Sequence, residues 1–289
     1  MTRHGTLLIT GCSTGIGYAA AVTLKRRGWR VFAGARGEDD LRMLRNHGLE
    51  AVQLDVDEPA SITAAVETVL ASTGGQLDAL FNNAGFGQPG AVEDLPRAAL
   101  RAQFETNLFG PQELTNQLLP VMRRQGHGRI VYNSSVLGLT ALPYRGAYVA
   151  SKFAMEGLVD TLRMELRGSG VHVSLVEPGP IVSRFRANAR ARFHANIDAS
   201  ASAHARNYRA LEHRLAAPER ATGLTLGPDA VVRKLVHALE SPRPRPRYPV
   251  TLPTRVFGVL RRLLPTRVMD RVLLASTADE RRPPPEDGD

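Results

Sequence analysis

Thr10-Gly11-Cys12-Ser13-Thr14-Gly15-Ile16-Gly17 is the stretch that decides how this chain folds. It follows a short apolar run, Thr6–Thr10, and opens a helical pattern over about 15–28. Glycines between a strand and a helix clear a turn of side chains, so a pyrophosphate can approach the backbone and rest on the helix N-terminus. Tight turns also use glycines. The placement between strand and helix is what predicts dinucleotide binding here.

The same alternation continues outward from that turn. Further strand-like runs lie at Arg30–Gly34, Glu50–Leu54, Asp78–Asn82, Arg129–Ser134 and Val171–Glu177, with helical stretches at about 39–47, 58–73, 96–124 and 144–168. The runs are nearly continuously apolar, as parallel strands buried on both faces are. The pattern predicts an α/β fold: a doubly wound parallel sheet of Rossmann type, with ligands at the carboxyl ends of the strands. After Pro178-Gly179-Pro180 the character changes. Residues 184–216, rich in Arg and Ala, read as irregular helices over a site, and the substrate segment runs to about 225. A helix at about 227–240 and an edge strand at Tyr248-Pro-Val-Thr follow. Residues 254–275 read as two amphipathic helical segments parted by Pro265, forming a C-terminal helical substrate-binding extension. A single domain over 1–275 and a disordered tail over 276–289 complete the expected organisation.

Composition narrows the function. The net charge of +9 is confined to the last third, because residues 1–183 hold 17 basic and 17 acidic side chains. A uniformly basic nucleic-acid binder would not be so divided. One cysteine excludes an internal disulfide framework and fits a reducing, cytoplasmic setting. No metal-ligand spacing is present among the eight histidines, and no apolar run is long enough to span a bilayer.

The end of the second strand chooses the coenzyme. A carboxylate there would accept the ribose hydroxyls of NAD; this chain has Ala35-Arg36, which suits the 2′-phosphate of NADP(H), with Ser13 adding a hydrogen bond. Glu38 is the nearest acid that would favour NAD. Tyr148 and Lys152 stand four apart on one helical face, and a nearby ammonium lowers a phenol's pKa. Such a phenol passes a proton to or from a carbonyl oxygen, which Ser135, at the end of the fifth strand, can hold. Asn83 ends the fourth strand, and Asn107 lies within the following long helix.

Together these features resemble the short-chain dehydrogenase/reductase superfamily, in its single-domain branch. The matching residues are Thr10-Gly-x-x-x-Gly-Ile-Gly17, Asp55, Asn82-Asn-Ala-Gly85, Asn107, Ser135, Tyr148-x-x-x-Lys152 and Pro178-Gly179. The resemblance implies that Tyr148 is the proton donor or acceptor and that Ser135 positions the substrate oxygen. Lys152 would bind the nicotinamide ribose and lower the tyrosine pKa. Asn107 would bend its helix and hold a relay water. For the coenzyme it implies Gly11, Ser13, Gly15, Ile16 and Gly17 at the pyrophosphate and Arg36 at the 2′-phosphate. Asp55 and Val56 would meet the adenine, and Asn83, Ala84 and Gly85 the adjoining ribose. Pro178, Gly179, Ile181 and Ser183 would meet the nicotinamide. Many NADP-using relatives carry a basic residue inside the glycine loop; Cys12-Ser13-Thr14 has none, so Arg36 carries the coenzyme preference. The glycine loop with Val31-Phe-Ala-Gly-Ala-Arg36 looks most like the steroid- and retinol-dehydrogenase group and bacterial long-chain aldehyde reductases.

The expected substrate is a small apolar carbonyl or alcohol, with no nucleic acid as partner. Two alternatives stand beside it: a 3-oxoacyl (carrier protein or CoA) reductase, and a non-catalytic NADP(H)-sensing protein. Against the first, the chain runs about 40 residues past the last strand; against the second, a sensor has no need of a proton donor. The resemblance also implies a homo-oligomer formed by the helices near 96–124 and 144–168. The 254–275 segment, with apolar faces and five arginines, admits either peripheral membrane contact or packing on the protein itself.

Overall fold

A computed structural model describes residues 5–217 and 224–278. Its strands are β1 (Thr6–Ile9), β2 (Arg30–Ala35), β3 (Glu50–Gln53), β4 (Ala79–Asn82), β5 (Gly128–Asn133), β6 (Val171–Glu177) and β7 (Arg247–Pro249). They form one parallel sheet in the order β3-β2-β1-β4-β5-β6-β7. The six strands read from the β-branched runs are found within one residue of their expected ends, and β7 is the expected edge strand.

Alternate strand residues supply two cores. Leu7, Ile9, Val31 and Ala33 face α1 (Gly15–Arg26), α2 (Glu38–Asn46) and α9 (Pro228–Glu240). Leu8, Phe32, Leu80 and Ile130 face α3 (Pro59–Ser72), α5 (Gly110–Gln125) and α6 (Gly146–Glu165). A third, smaller cluster of Ala189, Phe193, Tyr208, Leu211 and Leu215 joins α7 (Phe185–Asn196) to α8 (Ala205–Ala216). The Tyr208 hydroxyl donates to Asp94 and accepts from the Ala91 N–H at 2.9 Å, tying this lobe to the loop after β4. The segment expected to be irregular is therefore two regular helices pinned at a buried tyrosine.

The expected helix over 96–124 is broken. It runs as α4 (Arg97–Phe104), a π-helical turn over Glu105–Phe109, then α5. Pro111 has no N–H to give the Asn107 carbonyl four residues back, so the regular ladder fails there. Gly110 is pressed so closely on the Val56 carbonyl that a Cβ would lie 1.9 Å from it. Helix α6 begins at Gly146 rather than 144, because Tyr144 holds φ at +62°. Beyond the sheet lie α10 (Leu252–Leu263) and α11 (Thr266–Ser276), parted at Pro265 as expected. Helix α11 ends at Ser276, with the Thr277 hydroxyl donating back to Leu273 O at 3.1 Å; the expected tail beyond residue 278 lies outside the described residues.

Candidate active site

The carboxyl ends of β1, β2, β4 and β5 open onto a cavity of about 610 Å³. Its floor begins at the glycine loop. Gly11 adopts φ of +70°, and a Cβ on Gly17 would lie 2.2 Å from the Gly11 carbonyl oxygen. Only glycine at both places lets α1 start this close to the strand. Cys12 sits beneath the loop, fully buried, its N–H bonded to Gly34 O at 2.8 Å and its thiol turned toward Ile9 O at 3.3 Å. Burial pushes that thiol far above the usual range.

Asn83 couples the loop to the opposite wall. Its amide donates to Thr10 O at 2.9 Å and Gly11 O at 3.2 Å, while its side-chain oxygen accepts from Asn133 at 3.0 Å. Both of its amide hydrogens are thus committed to the protein. The Asn133 carbonyl in turn accepts from the Lys152 ammonium at 2.7 Å. Thr10, whose hydroxyl accepts from the Asn83 and Ala84 N–H groups at 2.9 and 2.8 Å, was read only as part of the glycine motif, and Asn133 was not anticipated from the sequence. Their role exists only across strands.

On α6, Tyr148 and Lys152 share a face as expected, with the ammonium 5.7 Å from the centroid of the phenol ring. The Ser135 hydroxyl lines the cavity with the Tyr148 phenol and accepts from the Leu137 N–H at 3.1 Å. Phe185 packs edge-on against the Tyr148 ring, centroids 5.4 Å apart. Burial raises the phenol to about 12, opposed by the Ser135 hydrogen bond. That direction is opposite to the lowering expected from Lys152: in the protein alone, desolvation wins. Lys152 is itself only 4% exposed and is lowered to about 8 by burial, opposed by the charge of Glu156.

Every anticipated site residue lines the cavity except Gly17 and Asn107. Gly17 lies beneath the loop. Asn107, buried in the π-helical turn, donates to Phe86 O at 3.1 Å and Ser151 Oγ at 3.0 Å and accepts from the Phe86 N–H at 3.1 Å. At the far end Arg36 borders the cavity with Asp40, while Glu38 is turned to Arg45 at 2.9 Å. Of these two α2 acids, Asp40 lines the cavity and Glu38 does not. Among the described residues no group of histidine, cysteine or carboxylate side chains could hold a metal.

A model of the short chain dehydrogenase family matches residues 5–193. The chain is 47% identical over 267 residues to the uncharacterized oxidoreductase YbbO of Escherichia coli strain K12, covering 92% of this chain and 93% of that one. It is 35% identical over 262 residues to human 17-beta-hydroxysteroid dehydrogenase type 1, covering 84% and 76%. A short-chain dehydrogenase/reductase from Burkholderia phymatum, solved in complex with NAD, superposes with a TM-score of 0.75 at 25% identity, covering 100% of this chain and 99% of that one. The expected affinity to the steroid- and retinol-dehydrogenase group thus holds, and the chain belongs to the short-chain dehydrogenase family, as an oxidoreductase of alcohol and carbonyl groups.

Proposed function

We propose that this protein is an NADP(H)-dependent reductase of apolar aldehydes or ketones, acting as one unit over residues 1–275. The observation that carries the reading is that Ser135, Tyr148 and Lys152 line one cavity that starts at the glycine loop, with Tyr148 and Lys152 on the same helix face. Gly11, Ser13, Gly15 and Ile16 suit a pyrophosphate at the N-terminus of α1. A bound nicotinamide coenzyme supplies the hydride. Tyr148, kept protonated by burial, gives its proton to the carbonyl oxygen that Ser135 holds. Lys152 would hold the ribose hydroxyls of a bound coenzyme, and Asn107 fixes the Phe86 backbone through both of its amide atoms. The test is turnover of a panel of aldehydes and ketones with each coenzyme.

Coenzyme choice follows from Arg36. A guanidinium at the end of β2 favours the 2′-phosphate, so kcat/KM should be higher with NADPH than with NADH. Ala35→Asp should reverse that order, since a carboxylate repels the phosphate and accepts ribose hydroxyls. A wild-type protein faster with NADH would show that Asp40 outweighs Arg36.

Two surfaces bear on partners. Phe109, Leu158 and Met164, beside or on α5 and α6, are exposed apolar residues suited to a homo-oligomer. On α10 the exposed Leu252, Val256, Val259 and Leu263 form one stripe, the last 72% exposed, flanked by exposed Arg255, Arg261 and Arg262. On α11, Met269 and Leu273 instead pack inward. Among the described residues no helix is long and apolar enough to cross a membrane. The α10 stripe supports a cytoplasmic protein that rests at an anionic membrane surface. Sedimentation with anionic liposomes should carry the protein down at low salt and release it at high salt. Val259→Glu/Leu263→Glu should abolish binding; equal sedimentation of this variant ends the membrane reading.

A further inference from the structure

Ser135 and the Tyr148/Lys152 pair stand on different elements, so their spacing is set by what lies beneath them. Ser135 opens a short 3-10 turn, Val136–Gly138, at the end of β5. Under that turn lies Glu156, buried, one helical turn beyond Lys152 on the same face of α6. Its carboxylate accepts from the Ser134 hydroxyl, and a Cβ on Gly138 would meet its Cγ at 2.9 Å and its Oε1 at 3.0 Å. The other carboxylate oxygen takes the Arg247 guanidinium of β7, which also holds Glu177 at 2.7 Å and Asp160 at 2.6 Å. Glu177 directly precedes Pro178, whose carbonyl accepts from the Val136 N–H at 2.7 Å. The ends of β5 and β6 and the body of α6 thus meet on one carboxylate and one guanidinium.

We infer that Glu156, clamped by Arg247, is a positioning residue of the reaction: it fixes the Ser135 turn against α6 and supplies the negative charge that keeps the Lys152 ammonium protonated. The inference rests on the reductase reading and extends it to two residues that do not line the cavity.

A buried carboxylate is costly unless it is paired and hydrogen-bonded, and Glu156 has partners of both kinds. An apolar residue in its place would leave the buried Ser134 hydroxyl without its acceptor. Lys152 donates to the Asn133 carbonyl at 2.7 Å, which orients the ammonium without offsetting its charge. Burial favours the neutral amine; the charge of Glu156 opposes it, and the group is left at about 8. Glu156 itself, raised to about 7 by burial and by Glu177, is ionised before that ammonium is lost. The other charges at the cluster are Asp160 on α6 and Arg262 of α10, both of which act on Glu177.

Three variants separate position from charge. Each is read by NADPH binding, followed through nucleotide fluorescence as a function of pH, and by decanal reduction per bound coenzyme. In the wild type NADPH affinity should fall as pH rises through about 8, where Lys152 loses its charge. Glu156→Gln keeps an acceptor for Ser134 but removes the anion, so that midpoint should drop by about one pH unit or more. Glu156→Asp keeps the anion but withdraws it from Ser134 by one methylene, so the midpoint should hold while kcat falls about tenfold. Ser134→Ala should show the same loss of kcat with the midpoint unchanged. A carboxylate that served only stability would reduce the amount of folded protein and move neither kcat per site nor the midpoint. An unmoved midpoint in Glu156→Gln, or full kcat in both Glu156→Asp and Ser134→Ala, therefore overturns the inference. Should the glutamate variants fail to fold, kcat of Ser134→Ala decides alone. A wild type that binds NADPH but reduces no carbonyl ends the reductase reading, and the midpoint in Glu156→Gln then decides the inference. Failure to bind any nicotinamide coenzyme overturns both together.

Discussion

Tyr148→Phe should lower kcat by at least about 100-fold, the usual worth of a positioned proton donor, while coenzyme affinity changes little. The substitution keeps the ring, its edge-on packing with Phe185 and the nearby Lys152 ammonium, and removes only the hydroxyl that Ser135 engages. A phenol raised to about 12 stays protonated through the neutral range, so in the reducing direction the proton is always in place. Alcohol oxidation needs the same group without its proton, and its rate should climb with pH where reduction is flat. Steady-state kinetics with coenzyme binding followed by fluorescence reads both quantities. A folded variant with near-normal kcat removes Tyr148 from the proton-donor role.

The second large effect is on stability. Arg247 of β7 reaches three carboxylates: Glu156, Glu177 at 2.7 Å and Asp160 at 2.6 Å, with Glu156 and Glu177 both buried. Arg247→Met removes the cation that two buried glutamates share, and at neutral pH this should cost about 3–5 kcal/mol. The cost depends on pH in a defined direction. Burial and the neighbouring Glu177 already raise Glu156 to about 7. The folded protein therefore holds that proton over a range where the unfolded chain has released it, and stability from this group falls as pH rises from about 4.5 to 7. Loss of Arg247 pushes both glutamates higher still and extends the window upward. Urea unfolding should accordingly show a smaller deficit at pH 5 than at pH 8. Equal deficits at the two pH values would mean that Arg247 acts by packing alone.

The legibility of the chain divides along sequence separation. The glycine loop and Tyr148-x-x-x-Lys152 could be read because their members lie within one turn or one helix, and the strands because burial on both faces leaves a continuous apolar run. The Arg247 cluster could not: its partners are 70 to 91 residues away, and nothing local marks Glu156 as buried. Asp40 was passed over for Glu38 because only the phase of α2 shows which acid faces the cavity. The break at Asn107 had a visible sign in Pro111, but a sixteen-residue amphipathic pattern on its far side hid it. The arginines of α7 and α8 were visible as composition; that Arg186, Arg192 and Arg214 line the cavity is a property of the packed lobe.

Cys12 has a consequence of another kind. It is the chain's one sulfhydryl, and it lies sealed between the nucleotide loop and the first two strands. As a buried thiol held far from its reactive anion, it is inert while that seal is closed. The protein therefore carries a built-in clock. An alkylating reagent in solution counts only the excursions in which the loop lifts off the sheet, and it counts them without any label added elsewhere. A dinucleotide resting on the outer side of the same loop would slow the count, so occupancy can be followed through a residue that no ligand touches.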